Sequence, residues 1–192
     1  MLNKVGSLLL QIQLIVCLLV LAGGSAQAVE PGALWAAVRD RSAFIMMRHA
    51  LAPGTGDPDG FDVNECPTQR NLSDDGRRQA VEAGAWLRKN GIERAAVFSS
   101  AWCRCLDTAR LLDVGRVELL APLNSFFGNR EQREPQMTAL RDWLAGNQPD
   151  KPLILVTHQV NIMALTGDFA RSGDMLVVRR APDGTYAVLG KL

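Results

Sequence analysis

The stretch Ala43-Phe44-Ile45-Met46-Met47-Arg48-His49 decides the fold. Its apolar run has no polar break and stops abruptly at an arginine and a histidine. Such a run suits a strand buried on both faces, as in a parallel sheet covered by helices. The pattern recurs downstream. Ala95-Ala96-Val97-Phe98 ends in Ser99-Ser100, and Leu153-Ile154-Leu155-Val156 ends in Thr157-His158. Between these runs the period changes to that of helices. Ser73 offers an N-cap with Asp74 and Asp75 in the first turn, Ala80, Gly84 and Leu87 share a face, and Asn90-Gly91 ends the segment. A second helix is expected after Ser100, with Leu106, Ala109 and Leu112 on one face. A third starts near Pro135, with Met137, Leu140 and Leu144 on its apolar side. Short helices over 34–39 and 160–166, a strand over 117–120 and a hairpin around Pro182-Asp183-Gly184 complete the reading. Strands alternating with helices predict an α/β domain, a three-layer α/β/α sandwich with a mainly parallel sheet.

Ligands of such sheets bind beyond the carboxyl ends of the strands. Three of those ends carry suggestive polar groups: Arg48-His49, Ser99-Ser100 with Arg104 just beyond, and Thr157-His158. The chain has two histidines, and each directly follows an apolar strand. Residues 50–71, rich in glycine and proline, form a long loop of the kind that carries function in compact domains.

The amino terminus is of another kind. Lys4 is the one charge in the first 28 residues, an apolar run from Leu8 to Leu21 follows, and Ala26-Gln27-Ala28 closes the segment. This order predicts a secretory signal peptide over residues 1–28, cut after Ala28, with one domain over 29–192. The apolar run is short for a bilayer span. A periplasmic or secreted product without stable membrane insertion is therefore expected. The whole chain has 21 basic and 20 acidic residues, so loss of Lys4 leaves the domain formally neutral. That balance offers no general attraction to nucleic acid, and none is expected as a partner. Cys66, Cys103 and Cys105 remain after cleavage. In an oxidising compartment the expected bridge joins Cys66 to Cys103 or Cys105. A C-x-C pair with one distant cysteine does not suit a metal site.

Four segments carry a family resemblance, in order, over residues 43–165. Met46-Met47-Arg48-His49 resembles the Arg-His-Gly signature of the histidine phosphatase superfamily, the phosphoglycerate-mutase-like fold. Leu72-Ser73-Asp74-Asp75-Gly76-Arg77-Arg78-Gln79-Ala80 is similar to its Leu-Thr-x-x-Gly-x-x-Gln-Ala segment. Ser99-Ser100 with Arg104, Thr108 and Ala109 resembles Ser-Ser-x-x-x-Arg-x-x-x-Thr-Ala, and Val156-Thr157-His158 resembles Val-Ser-His. The resemblance implies that His49 is a phosphoryl-accepting nucleophile and that Arg48, Arg104 and His158 hold the phosphate. It implies no metal and no other cofactor, because positioned cations can neutralise the transferring group. The implied partner is a small phosphorylated substrate.

Three departures stand out. Ala50 replaces the family's glycine after the histidine, and its methyl could narrow the pocket. Gln159-Val160 follow His158 where many members have glycines. The general acid, a glutamate in the loop after the second arginine in mutase-like members, has no obvious counterpart. Glu131 is the first candidate, with Glu134, Asp57 and Asp59 as alternatives. The expected function is an exported, metal-independent phosphatase that hydrolyses a phosphomonoester through a phosphohistidine on His49. The competing expectation is a phosphate-binding or sensing module with a degenerate catalytic site. A thiol redox protein is disfavoured, since no C-x-x-C is present.

Overall fold

The structure, a computed structural model, describes residues 30–192. The signal-peptide reading of residues 1–28 lies outside the described residues. In chain order the elements are α1 (Pro31–Arg39), β1 (Phe44–Arg48), α2 (Asp74–Lys89), β2 (Ala96–Ser99), α3 (Cys103–Leu112), β3 (Val117–Leu119), α4 (Arg133–Gly146), β4 (Leu153–Thr157), α5 (Gln159–Thr166), β5 (Met175–Arg180) and β6 (Tyr186–Lys191). Short 3-10 turns at Cys66–Thr68, Ala121–Leu123 and Arg130–Gln132 shape the loops.

The sheet runs β3-β2-β4-β1-β5-β6. β3, β2, β4 and β1 are parallel, and β5 and β6 are antiparallel. Alternation along each strand sorts side chains into two cores. Ile45, Met47, Val97, Ile154 and Val156 face one layer with α1, α2 and α3. Phe44, Met46, Leu153 and Leu155 face the other, against Met137 and Leu140 of α4 and Ile162 of α5. This is the expected three-layer α/β/α sandwich.

Because β1, β2 and β4 are parallel neighbours, their carboxyl ends share one edge. The ladder continues past the strands and fixes the next residues: His49 N–H donates to the Thr157 carbonyl at 2.9 Å and Ser100 N–H to the Val156 carbonyl at 3.0 Å. Helix α2 starts where expected, with Ser73 Oγ accepting from Gly76 N–H and Asn90 ending it. Gly84 lets α2 approach α3 closely, since a Cβ there would collide with the Leu112 carbonyl. On α3 the buried stripe is Arg104, Cys105, Thr108, Ala109 and Leu112, while Leu106 is half-exposed. The expected face is thus turned slightly, because Arg104 and Thr108 point to the sheet edge. Cys66 and Cys103 form a disulfide, and Cys105 is free and buried. None of the described helices is long and apolar enough to cross a membrane.

Candidate active site

A cleft of about 820 Å³ opens at the carboxyl edge of the sheet. Arg48, His49, Arg104 and His158 all line it, so the structure brings together these four residues singled out in the sequence.

His49 follows β1 and is 2 % exposed. Its Nδ1 lies 2.8 Å from the carbonyl of Ala50. A carbonyl can only accept, so Nδ1 carries the proton and Nε2 keeps its lone pair. Burial, reinforced by the charges of Arg104, Arg70 and Arg48 and opposed by the Ala50 hydrogen bond, pushes the His49 pKa down to about 3. The ring is therefore neutral at ordinary pH. Ala50 donates its N–H to Thr108 Oγ1 at 3.0 Å, and that hydroxyl donates to the Arg104 carbonyl at 2.7 Å. Its methyl packs with Ala52, Leu72 and Ala80, outside the cleft lining. The alanine that replaces the family's glycine fills a small core and does not narrow the pocket.

His158 directly follows β4 and lies against Ser100, whose Oγ lies 2.8 Å from its Nε2 and accepts the Trp102 N–H at 3.3 Å. Burial and nearby Arg104 hold its pKa well below the usual histidine value. Both histidines thus act as neutral groups, and the arginines supply the positive charge. Arg48 donates through Nη1 to the Ala170 carbonyl at 3.0 Å. Arg104 is 2 % exposed and grips Asp57 with two nitrogens, at 2.6 and 3.1 Å. The buried Nε atoms of Arg48 and Arg104 have no partner among the described residues. Unpaired buried donors are costly, and two of them at one cleft mark a place for an oxyanion.

Arg70 also lines the cleft and was missed in the sequence. Its Nε donates to the Gly56 carbonyl at 2.6 Å and its Nη1 to the Ala52 carbonyl. The available signal was an arginine just before the Leu72-Ser73 segment, inside the long loop.

The acid candidates separate. Glu131 is exposed on the 3-10 turn Arg130–Gln132 and does not line the cleft. That turn runs straight into α4 and leaves Glu131 on the outer surface, so the structure does not bring it to the other four. Glu134 is exposed beside Arg133. Asp57 and Asp59 do line the cleft. Burial pushes the Asp57 carboxyl up, but its hydrogen bonds and charge contact with Arg104, with donations from Arg70 N–H and Trp102 Nε1–H, outweigh this and hold it below the usual carboxylate range. Cys105 Sγ lies 3.4 Å from His158 Nε2, yet burial pushes its thiol up to about 12, which removes it as a nucleophile. No cluster of metal-ligating side chains occurs among the described residues.

Residues 44–136 match the family model described as the histidine phosphatase superfamily (branch 1). No curated protein matches the chain in sequence. Several solved structures share the fold. The protein histidine phosphatase SixA in complex with tungstate is 16 % identical with a TM-score of 0.56, covering 78 % of this chain and 96 % of that one. The mycobacterial glucosyl-3-phosphoglycerate phosphatase in complex with VO3 is 18 % identical with a TM-score of 0.56, covering 77 % and 97 %. A mutant phosphoserine phosphatase from Entamoeba histolytica, in complex with phosphoserine, is 14 % identical with a TM-score of 0.54, covering 78 % and 95 %.

Proposed function

The chain belongs to the histidine phosphatase superfamily, and from that premise we propose that it is a metal-independent phosphatase that forms a phosphohistidine on His49. The observation that carries this reading is the state of His49: Nδ1 is tied to the Ala50 carbonyl, which leaves the Nε2 lone pair at a cleft with unpartnered Arg48 and Arg104 donors. Nε2 attacks phosphorus, the N–P bond forms and the P–O bond to the leaving group breaks. Arg48, Arg104 and Arg70 balance the charge of the transferring group, and neutral His158 adds a hydrogen bond.

Asp57 is the proposed acid. In the free site it is a carboxylate on Arg104. A phosphate dianion competes for that guanidinium. Once released, Asp57 loses the partner that held its pKa down and takes up a proton, which it passes to the leaving oxygen. The resulting carboxylate then takes a proton from the water that hydrolyses the phosphohistidine. The depressed pKa of His49 keeps the nucleophile unprotonated in acid, which supports an acid-phosphatase habit. The Lys4, apolar-run and Ala26-Gln27-Ala28 series supports export with cleavage after Ala28, which N-terminal sequencing of protein from its own host tests.

The decisive experiment is turnover of phosphomonoesters in the presence of EDTA, with labelled substrate quenched without acid to preserve the phosphohistidine. We expect label on the native protein, none on His49→Ala, and a rate indifferent to the chelator. Rapid turnover by His49→Ala, or activity abolished by EDTA, overturns the mechanism. Phosphate binding without turnover in the native protein favours the alternative, a binding module with a degenerate site.

A further inference from the structure

The cleft changes character from floor to mouth. The floor holds Arg48, His49, Arg104 and His158. The mouth is aromatic. Trp102 stands 5.5 Å from His158, and Phe61 stands 5.8 Å from Trp102, ring centre to ring centre. His158 is itself 5.6 Å from His49. A file of rings, meeting edge to face or tilted, therefore leads from the nucleophile towards Phe61. Phe127 lies close to the first loop, since a Cβ on Gly56 would sit 3.8 Å from its ring. Phe127 and Phe169 are 51 % and 55 % exposed, and both line the cleft. They are anchored. Phe169 precedes Ala170, whose carbonyl accepts from Arg48, and its own carbonyl accepts from Lys191 Nζ at 2.8 Å. The Phe127 N–H donates to Ser125 Oγ at 3.3 Å.

Charge points the same way. The cations that line the cleft are Arg48, Arg70 and Arg104. Arg48 and Arg104 belong to the floor, and Arg70 has two nitrogens taken by backbone carbonyls. The exposed charge at the mouth is Asp59, an anion. A leaving group with a carboxylate or a second phosphate faces Asp59, and the one cleft cation outside the floor, Arg70, has two of its three nitrogens already held by backbone carbonyls. A polyol finds Thr55, Ser125, Asn129 and Gln159 as hydrogen-bonding side chains, but it leaves the four aromatic rings without an apolar partner. A flat apolar group gains contact with Phe61, Trp102, Phe127 and Phe169.

We propose that the cleft selects phosphomonoesters whose leaving group carries an apolar ring next to the ester oxygen, over those with a second anionic group or a polyol. The proposal rests on the phosphatase reading.

The test compares kcat/KM for benzyl phosphate, glycerol 3-phosphate and 3-phosphoglycerate. All three release an alkoxide, so intrinsic leaving-group reactivity does not decide the order. Benzyl phosphate should lead by roughly ten-fold or more, mainly through KM, which corresponds to about 1.4 kcal/mol. Phe127→Ala and Phe169→Ala should each shrink that ratio, and the pair together should bring it to within about three-fold. Equal or faster use of glycerol 3-phosphate or 3-phosphoglycerate overturns the selectivity while leaving the phosphatase standing. If none of the esters turns over and no phosphohistidine forms, the phosphatase reading falls. Calorimetry with benzylphosphonate and 3-phosphonopropionate then decides the ring preference alone: tighter benzylphosphonate supports it, and tighter 3-phosphonopropionate overturns it.

Discussion

At the scale of single residues, the site turns on two groups whose charges are set by their surroundings. Asp57 is one. If it only positioned Arg104, Asp57→Asn would slow every ester alike. As a proton donor it matters for poor leaving groups, so Asp57→Asn should lower kcat/KM for an alkyl phosphate by on the order of 10²-fold and for p-nitrophenyl phosphate by far less. Steady-state kinetics on the two substrates separates the cases. His49 is the other. Its pKa is depressed from 6.5 to about 3 in the folded protein. Below pH 6.5 the unfolded chain binds a proton there that the folded chain refuses, so stability falls as pH drops from about 6.5 towards 3. The slope from this one histidine is about 1.4 kcal/mol per pH unit in that window. His158 shifts in the same direction. Thermal melts between pH 7 and pH 5 should show the decline, and His49→Asn should flatten it. Arg48, His49, Arg104 and His158 were legible because each sits at or just past a strand end, where the apolar pattern breaks. Arg70 and the pairing of Asp57 were not. Both lie in a loop without periodicity, and which carbonyl or guanidinium they meet depends on how the loop folds back.

At the scale of elements, local chemistry wrote most of the boundaries. Ser73 caps α2 and Asn90 ends it, as the N-cap and C-cap rules require. Glu131 shows the limit. Position in sequence placed it in a loop that does reach the cleft through residues 125–129, but a 3-10 turn decides on which side of that loop a residue emerges, and its short period leaves no pattern to read. The choice between Cys103 and Cys105 was equally hidden, since it depends on the face that α3 turns inward: Cys105 points into the core and Cys103 meets the first loop. The bridge closes 37 residues of chain and ties the loop of Asp57 and Arg70 to the start of the helix bearing Arg104. By the loop-entropy relation its removal should reduce stability by about 4 kcal/mol. Urea titration of Cys66→Ser measures this, and an unchanged midpoint would count against any such role for the bridge.

At the scale of the whole molecule, the three-layer plan was legible because each central strand is apolar on both faces, so the sequence demands helices above and below the sheet. The cleft was not, because its walls come from five separate connections between elements. The same plan distributes the tryptophans. Trp35 and Trp86 meet edge to face at 6.1 Å in one helical layer, and Trp143 meets Phe98 at 4.7 Å in the other. Trp102 alone of the four lines the cleft, with its indole N–H on Asp57 and its ring beside His158. Three indoles therefore emit from surroundings that a ligand does not touch, while the fourth shares a hydrogen bond with the carboxylate that an incoming phosphate displaces. The protein carries its own optical gauge of occupancy. Titration with inorganic phosphate should change the tryptophan emission, Trp102→Phe should silence that response, and the remaining steady signal should serve as an internal reference for every binding measurement made on the site.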